Sequence, residues 1–323
     1  MVRMFWRFAT ALCVAFAVPA VSVAQEFPNR PIKLVMGFGP GGLGDIVGRL
    51  VGQKMTESIG KPIVIDYQPG AGGITAASAM TRAEPDGHTV LWVSAQNSIS
   101  ANLFKSLKYD WDRDFTPVGT IGTFAYVMYV HKDSPLKSVA DVVAAAKANP
   151  EKFNFGTVAV GTAQNLSALK FVADAKLKTP VVAFKTIGEV ITALTGGEIQ
   201  VGFENLPGVI SHIKAGNLRP IAVSTEKRIA SLSQVPTIAE SGYPDYKTAS
   251  WVGWVVPAKT PRDVVMRLNR ELEKAVKSPD VSKRLEELLV QPTTGSPEDL
   301  NRLYHSDYNL WKQVITDAKI PQQ

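Results

Sequence analysis

The sequence predicts an α/β fold, and three observations carry that prediction. Short apolar runs rich in β-branched residues alternate with helical patterns, the rhythm of βαβ units and mainly parallel sheets. The composition, 45% hydrophobic and 20% charged over 323 residues, supplies a large core and too little charge for disorder. The last third, from about Pro257, reads as nearly all helix with no strand. At roughly 100–200 residues per domain, the length calls for two domains or one unusually large one.

The first segment is expected to lie outside that fold. Arg3 and Arg7 form a basic start, an uncharged and mostly apolar run follows, and Ser22-Val23-Ala24 supplies small residues before a cut. This is the layout of a secretory signal peptide, residues 1–24. Cys13 lies too early for a lipoprotein cut, and cleavage after Ala24 removes the one cysteine of the chain. A thiol-free chain suits an oxidising compartment and excludes disulfides and cysteine-ligated metal. No later stretch is long and apolar enough to span a membrane, so a soluble periplasmic protein is expected. The formal charge of +6 is diffuse and matches no nucleic-acid motif.

In chain order, strands are expected at residues 31–36, 62–65 and 89–93, with helices at 45–59 and 73–81 between them. The rhythm restarts near Phe153, with strands at 181–184 and 199–203. Ser138 with Asp141 reads as a capping box. Thr260-Pro261 starts an amphipathic helix carrying Val264, Val265, Leu268 and Leu272, and Ser296-Pro297-Glu298-Asp299 starts another with acids at its positive end. Gly196-Gly197 and Gly216 mark the ends of two middle helices. Two lobes follow: one from residues 25–128 plus 246–323, the other from 129–245. The chain is expected to cross near residues 126–130 and to return near 246–250.

The chemistry concentrates in glycine-rich turns. Gly37-Phe38-Gly39-Pro40-Gly41-Gly42-Leu43-Gly44-Asp45 follows a strand and opens a helix. Such a turn lets a ligand approach free N–H groups at the positive end of a helix, so anion capture is the direct reading. Pro69-Gly70-Ala71-Gly72-Gly73 and the turn 156–161 ahead of Thr162 share the design, Thr162 being the expected N-cap. A rival exists, because Gly39, Gly41 and Gly44 satisfy G-x-G-x-x-G and Asp66 ends the next strand, as in a dinucleotide site. Pro40 stiffens that turn, and exported proteins seldom use free dinucleotides, so an exported oxidoreductase stands as the alternative. The four histidines, His88, His131, His212 and His305, are isolated, and neither a G-x-S-x-G elbow nor a phosphate-binding Gly-Lys-Ser/Thr occurs. The pattern favours a binder over an enzyme, with no cofactor and no metal.

With these residues in hand, the chain resembles the Bug-type periplasmic solute-binding receptors of tripartite tricarboxylate transporters. The resemblance rests on an ordered set spanning the mature chain. Phe27-Pro28-Asn29-Arg30-Pro31-Ile32 and Phe38-Gly39-Pro40-Gly41-Gly42 with Asp45 open it. Pro69-Gly70-Ala71-Gly72-Gly73, Pro85-Asp86-Gly87-His88-Thr89 and Gly161-Thr162 follow. Then come Leu194-Thr195-Gly196-Gly197-Glu198-Ile199, Asn205-Leu206-Pro207 and His212-Ile213-Lys214-Ala215-Gly216, and Val235-Pro236-Thr237 and Pro257-Ala258-Lys259-Thr260-Pro261 close it. The resemblance implies a Venus-flytrap fold, a small carboxylate ligand between the lobes, and membrane subunits of a transporter as partners. An orphan binder serving a sensor is the third possibility, and a monomer is expected.

The family's ligand loops map onto Phe38, Gly39, Gly41, Gly42 and Asp45, onto Ser94, Gln96 and Asn97, and onto Thr162, Ala163 and Gln164. They map further onto Lys185 and Thr186 and onto Glu204 and Asn205. Backbone amides around Gly41-Gly42 and Thr162-Ala163 are expected to hold the carboxylate, with Lys185 the nearby cation. The sequence departs from the family at Gly37 and Gly39, at Ala163-Gln164-Asn165, at Thr186-Ile187 and at Glu204, all at or near the cleft, which bears on which ligand fits.

Overall fold

In the computed structural model, which describes residues 27–322, the βα rhythm runs in two stretches joined by one long strand. The leader expected over residues 1–24 lies outside the described residues. The first stretch is β1 (Ile32–Met36), α1 (Leu43–Ile59), β2 (Ile63–Tyr67), α2 (Ile74–Met80), β3 (Thr89–Ser94), α3 (Ala95–Leu103) and the short α4 (Trp111–Asp114). Strand β4 (Phe115–His131) then leads into α5 (Val139–Ala148), β5 (Phe155–Val158), α6 (Ala163–Asp174), β6 (Val181–Phe184), α7 (Ile187–Thr195), β7 (Val201–Asn205), α8 (Leu206–Lys214) and β8 (Leu218–Val223). The chain returns through β9 (Ala249–Pro257) and ends in α9 (Arg262–Lys277), α10 (Pro279–Glu287), β10 (Gln291–Pro292) and α11 (Pro297–Asp317).

The strands lie in the order β2-β1-β3-β9-β4-β7-β5-β6, with β8 and β10 also on β4. Pairings of β1 with β2 and β3, and of β5 with β6 and β7, are parallel, as βα units require. Strand β9 is antiparallel to both β3 and β4. The first part of β4, Phe115 to Ala125, pairs with β9, and the rest, from Tyr126, pairs with β7 and β8. The chain thus passes from one half of the sheet to the other between Ala125 and Tyr126, and comes back at Thr248–Ala249.

Ser224 ties the two crossings together. Its hydroxyl accepts the Tyr126 N–H at 2.9 Å and donates to the Thr248 carbonyl at 2.6 Å. Its own N–H donates to the Tyr126 carbonyl at 3.0 Å, and its carbonyl accepts the Thr248 N–H at 3.1 Å. All four bonds are shielded from water, since Ser224 is wholly buried.

Local chemistry explains most boundaries, and a few expectations need correction. Ser138 caps α5 by accepting the Asp141 N–H at 3.1 Å, but the Asp141 carboxylate turns to the Lys137 N–H, so the box closes on one side only. Pro261, not Thr260, occupies the position before α9. A 3₁₀ turn at Ala71–Gly73 precedes α2, which is shorter than expected. The last third does hold one strand, the two-residue β10 on β4. Gly122 permits that pairing, since a Cβ there would lie 2.5 Å from Val290 Cγ1 and 2.8 Å from the Gln291 carbonyl oxygen.

One face of the first half-sheet packs under α1, α9 and α10 around Met36, Trp92 and Trp254. Its other face meets α2 and the first turns of α11 through Leu300 and Tyr304. Farther along α11, Trp311, Val314 and Ile315 join Phe155 and Phe171 of the second half. Helix α11 therefore spans both halves, where the sequence had assigned all of residues 246–323 to one lobe.

Candidate functional site

Between the two halves lies a cavity of about 240 Å³ at the carboxyl ends of β3 and β7, where open α/β sheets place their ligands. At ~30 Å³ per molecule of liquid water this is room for about eight waters, the size of a compact organic molecule. Four helix starts border it, and each is built differently.

The start of α1 carries an acid, Asp45, in its first turn, but no side chain caps the N–H groups that follow Gly42. Asp45 Oδ2 accepts the Gly41 N–H at 2.8 Å, while Oδ1 accepts Arg49 Nε–H at 2.9 Å and the Tyr67 hydroxyl at 2.5 Å. Burial opposes the charge of Asp45, but the bonds from Tyr67 and Gly41 and the Arg49 guanidinium outweigh it and hold the carboxyl below its ordinary value. Asp45 is thus the anion of its own helix start. The Phe38 ring covers the same turn, since a Cβ on Gly44 would sit 2.4 Å from Phe38 Cζ. Phe38 in turn stands edge-on to Trp92, with ring centroids 6.1 Å apart.

The start of α3 is capped by Ser94, whose hydroxyl accepts the Gln96 N–H at 3.3 Å, while Asn97 Oδ1 accepts the Ser94 N–H at 2.9 Å. Gln96 faces the cavity, and its Nε2 reaches the Gly161 carbonyl of the opposite half at 3.4 Å. At α6, Thr162 Oγ1 accepts the Asn165 N–H at 3.4 Å, as expected of an N-cap. Asn165 Oδ1 accepts the Gly161 N–H at 3.2 Å. The first turn of α6 holds no acid, and Ala163 and Gln164 there border the cavity. Thr162 and Asn165 thus each take one N–H of this start, and no acid supplies a charge there. At α8, Asn205 Oδ1 accepts the Gly208 N–H at 2.9 Å, and Nδ2 donates to Glu204 Oε1 at 2.8 Å. Glu204 itself is wholly buried, and that burial pushes its carboxyl up to about 7, against the bonds from Asn205.

Of the residues expected at the site, Phe38, Ser94, Gln96, Ala163, Gln164 and Asn205 line the cavity. Gly39, Gly41, Gly42 and Asp45 are not part of that lining, Gly41 and Gly42 being exposed, and the Gly41 N–H is bonded to Asp45. Gly42 has φ −82° and no protein atom within 4 Å of a Cβ, so a side chain there meets neither backbone strain nor a protein clash. Asn97, Thr162 and Glu204 support lining residues from beneath. Lys185 and Thr186 are exposed at the start of α7, where the Lys185 N–H and Thr186 Oγ1 bond the Glu189 side chain and N–H. The expected cation is absent from the lining, which contains no charged residue among those described. Nor are three or more His, Cys, Asp or Glu side chains of the described residues grouped to hold a metal ion.

The lining also contains residues the sequence reading passed over: Leu43, Val47, Trp92, Phe124, Tyr126, Ser250, Val252 and Val290. Alternation brings them together, since Trp92 and Ser94 on β3 face the same side as Ser250 and Val252 on β9. Of these, Leu43 lies in the glycine-rich turn and Tyr126 and Ser250 at the expected crossings; the others carried no signal in the sequence.

Comparison with known proteins agrees with this geometry. Residues 47–320 match the family described as the tripartite tricarboxylate transporter family receptor. The protein of the tcbD-tcbE intergenic region of Pseudomonas sp. strain P51 is 33% identical over 92% of this chain and 88% of its own. An R. palustris structure with adipate superposes with TM-score 0.80 at 32% identity, covering 92% of this chain and 99% of that one. MatC from Rhodopseudomonas palustris with bound malate superposes with TM-score 0.75 at 27% identity, covering 90% and 100%. The chain shares the periplasmic binding protein fold. The chain belongs to the tripartite tricarboxylate transporter receptor family.

Proposed function

We propose that the chain is exported behind a leader cut after Ala24, acts as a monomer, and captures a small organic carboxylate between its two sheet halves for membrane transporter subunits. In this reading the halves are lobes that close about the paired crossings at Tyr126 and Thr248. One observation carries it: the start of α6, which holds no acid, places Ala163 and Gln164 at a cavity with no charged side chain among the described lining residues. Backbone N–H groups at a helix start favour an anion without needing a lysine, and low local dielectric strengthens that attraction. Adipate and malate in the related structures support the ligand class. No helix among the described residues is long and apolar enough to cross a membrane, so membrane contact in this reading runs through partner subunits.

A thermal-shift screen of the mature chain with hexanoate, benzoate, adipate, malate, citrate, NAD and NADP tests the reading. A ligand at 100 times its Kd adds about 2.7 kcal/mol. At least one acid is expected to raise the melting temperature in a saturable way, with neither dinucleotide doing so. Saturable micromolar binding of NAD, with no response to any acid, would overturn the reading in favour of the dinucleotide alternative.

A further inference from the structure

A buried phenol in the cavity wall has no partner inside the protein. Tyr126 lines the cavity and is 1% exposed, and its hydroxyl makes no hydrogen bond among the described residues. No other described lining residue holds a buried polar atom in that condition. Register sets the placement: Tyr126 stands opposite Asn205 of β7, and Phe124, two residues back, stands opposite Ser250 of β9. These four side chains therefore share one face of the sheet. Asn205 cannot serve the phenol, because its Oδ1 accepts the Gly208 N–H and its Nδ2 donates to Glu204. Burial raises the pKa of the phenol and the Ser250 hydroxyl eases it back in part, so Tyr126 keeps its proton at neutral pH. The two hydroxyls are neighbours, but their contact falls short of hydrogen-bond geometry. A dry hydroxyl without a partner is costly to keep, and the cavity is the side from which a partner can come.

We infer that Tyr126 is a specificity-determining residue whose hydroxyl, with that of Ser250, bonds an uncharged oxygen on the ligand's carbon chain, so that the cleft selects hydroxy or keto acids. The inference rests on the carboxylate reading above and deepens it. Each hydroxyl can donate and accept, which suits both a ligand hydroxyl and a ligand carbonyl. Neither brings a charge, so an uncharged oxygen meets them without the penalty of a dehydrated carboxylate. A methylene in the same place would bury the phenol with no partner, and a site built to bond an oxygen discriminates strongly against the analogue that lacks it.

Matched acids that differ in one oxygen test this: malate with succinate, 2-oxoglutarate with glutarate, and mandelate with phenylacetate, both enantiomers of each hydroxy acid being used. In titration calorimetry of the mature chain, the oxygenated member of at least one pair is expected to bind at least tenfold more tightly than its partner. In Tyr126→Phe, which removes the hydroxyl and keeps the ring, that preference is expected to collapse. The melting temperature of the unliganded variant should hold or rise, because the lost hydroxyl has no bond inside the protein. A marked fall in that temperature would show the hydroxyl to be held internally and would overturn the inference. So would the absence of a preference in all three pairs, or an unchanged preference in a folded Tyr126→Phe, and either result leaves the carboxylate reading intact. Failure of all these acids, and of hexanoate, benzoate, adipate and citrate, would overturn both.

Discussion

Two carboxylates show how residue identity shapes this cleft. Asp45 is held charged by Tyr67, Gly41 and Arg49, and it places a negative charge in the first turn of α1. Glu204 is pushed up to about 7 by burial, so at neutral pH it is partly protonated. Because its folded value lies above its ordinary 4.5, folding favours the proton. The resulting cost is absent below about pH 4.5, grows as pH rises, and levels off above about 7. At ~1.4 kcal/mol per pKa unit it reaches a few kcal/mol. Glu204→Gln removes that dependence. In urea denaturation the variant is therefore expected to gain stability relative to wild type between pH 5 and pH 8. Asp307, also pushed up to about 7 by burial, is present in both proteins and cancels in the difference. A difference that stays constant across that range would contradict the assignment. The resemblance to the receptor family is what put Asp45 and Glu204 among the expected ligand loops. It could not show that Asp45 turns back on Gly41, because Arg49 and Tyr67 meet it only after α1 packs on β2.

Secondary structure elements were legible where their causes are local. The β-branched runs of β1, β3 and β7, the Thr162 cap and the glycine after α7 each depend on a few neighbouring residues. Strand β4 was not legible beyond its crossing. It mixes Thr, Pro and Gly, shifts register twice against β9, and owes its bends to partners distant in sequence. Strand β10 is two residues long and exists only because Gly122 admits it. The two crossings meet at Ser224, which no motif announces. Ser224→Ala leaves the buried Tyr126 N–H without its acceptor and is expected to cost about 1–3 kcal/mol in chemical denaturation. A loss below about 0.5 kcal/mol would mean that the hydroxyl does not hold the crossings together.

As a whole, the molecule sets two half-sheets around one cavity, and α11 packs on both. The α/β class and the family were legible in the sequence, because alternation and the ordered set of glycine and proline motifs span the chain. The character of the cavity was not, because much of its lining comes from separate segments that read as ordinary core. The central claim is that the start of α6 receives the ligand's carboxylate. Gln164→Glu tests it by giving α6 the kind of internal anion that Asp45 gives α1. An acid in the first turn favours the helix by about 0.3–1 kcal/mol, so the melting temperature should hold or rise. Titration calorimetry with the tightest acid of the screened panel is predicted to show at least a tenfold loss of affinity, about 1.4 kcal/mol. Wild-type affinity in a folded Gln164→Glu would contradict the claim.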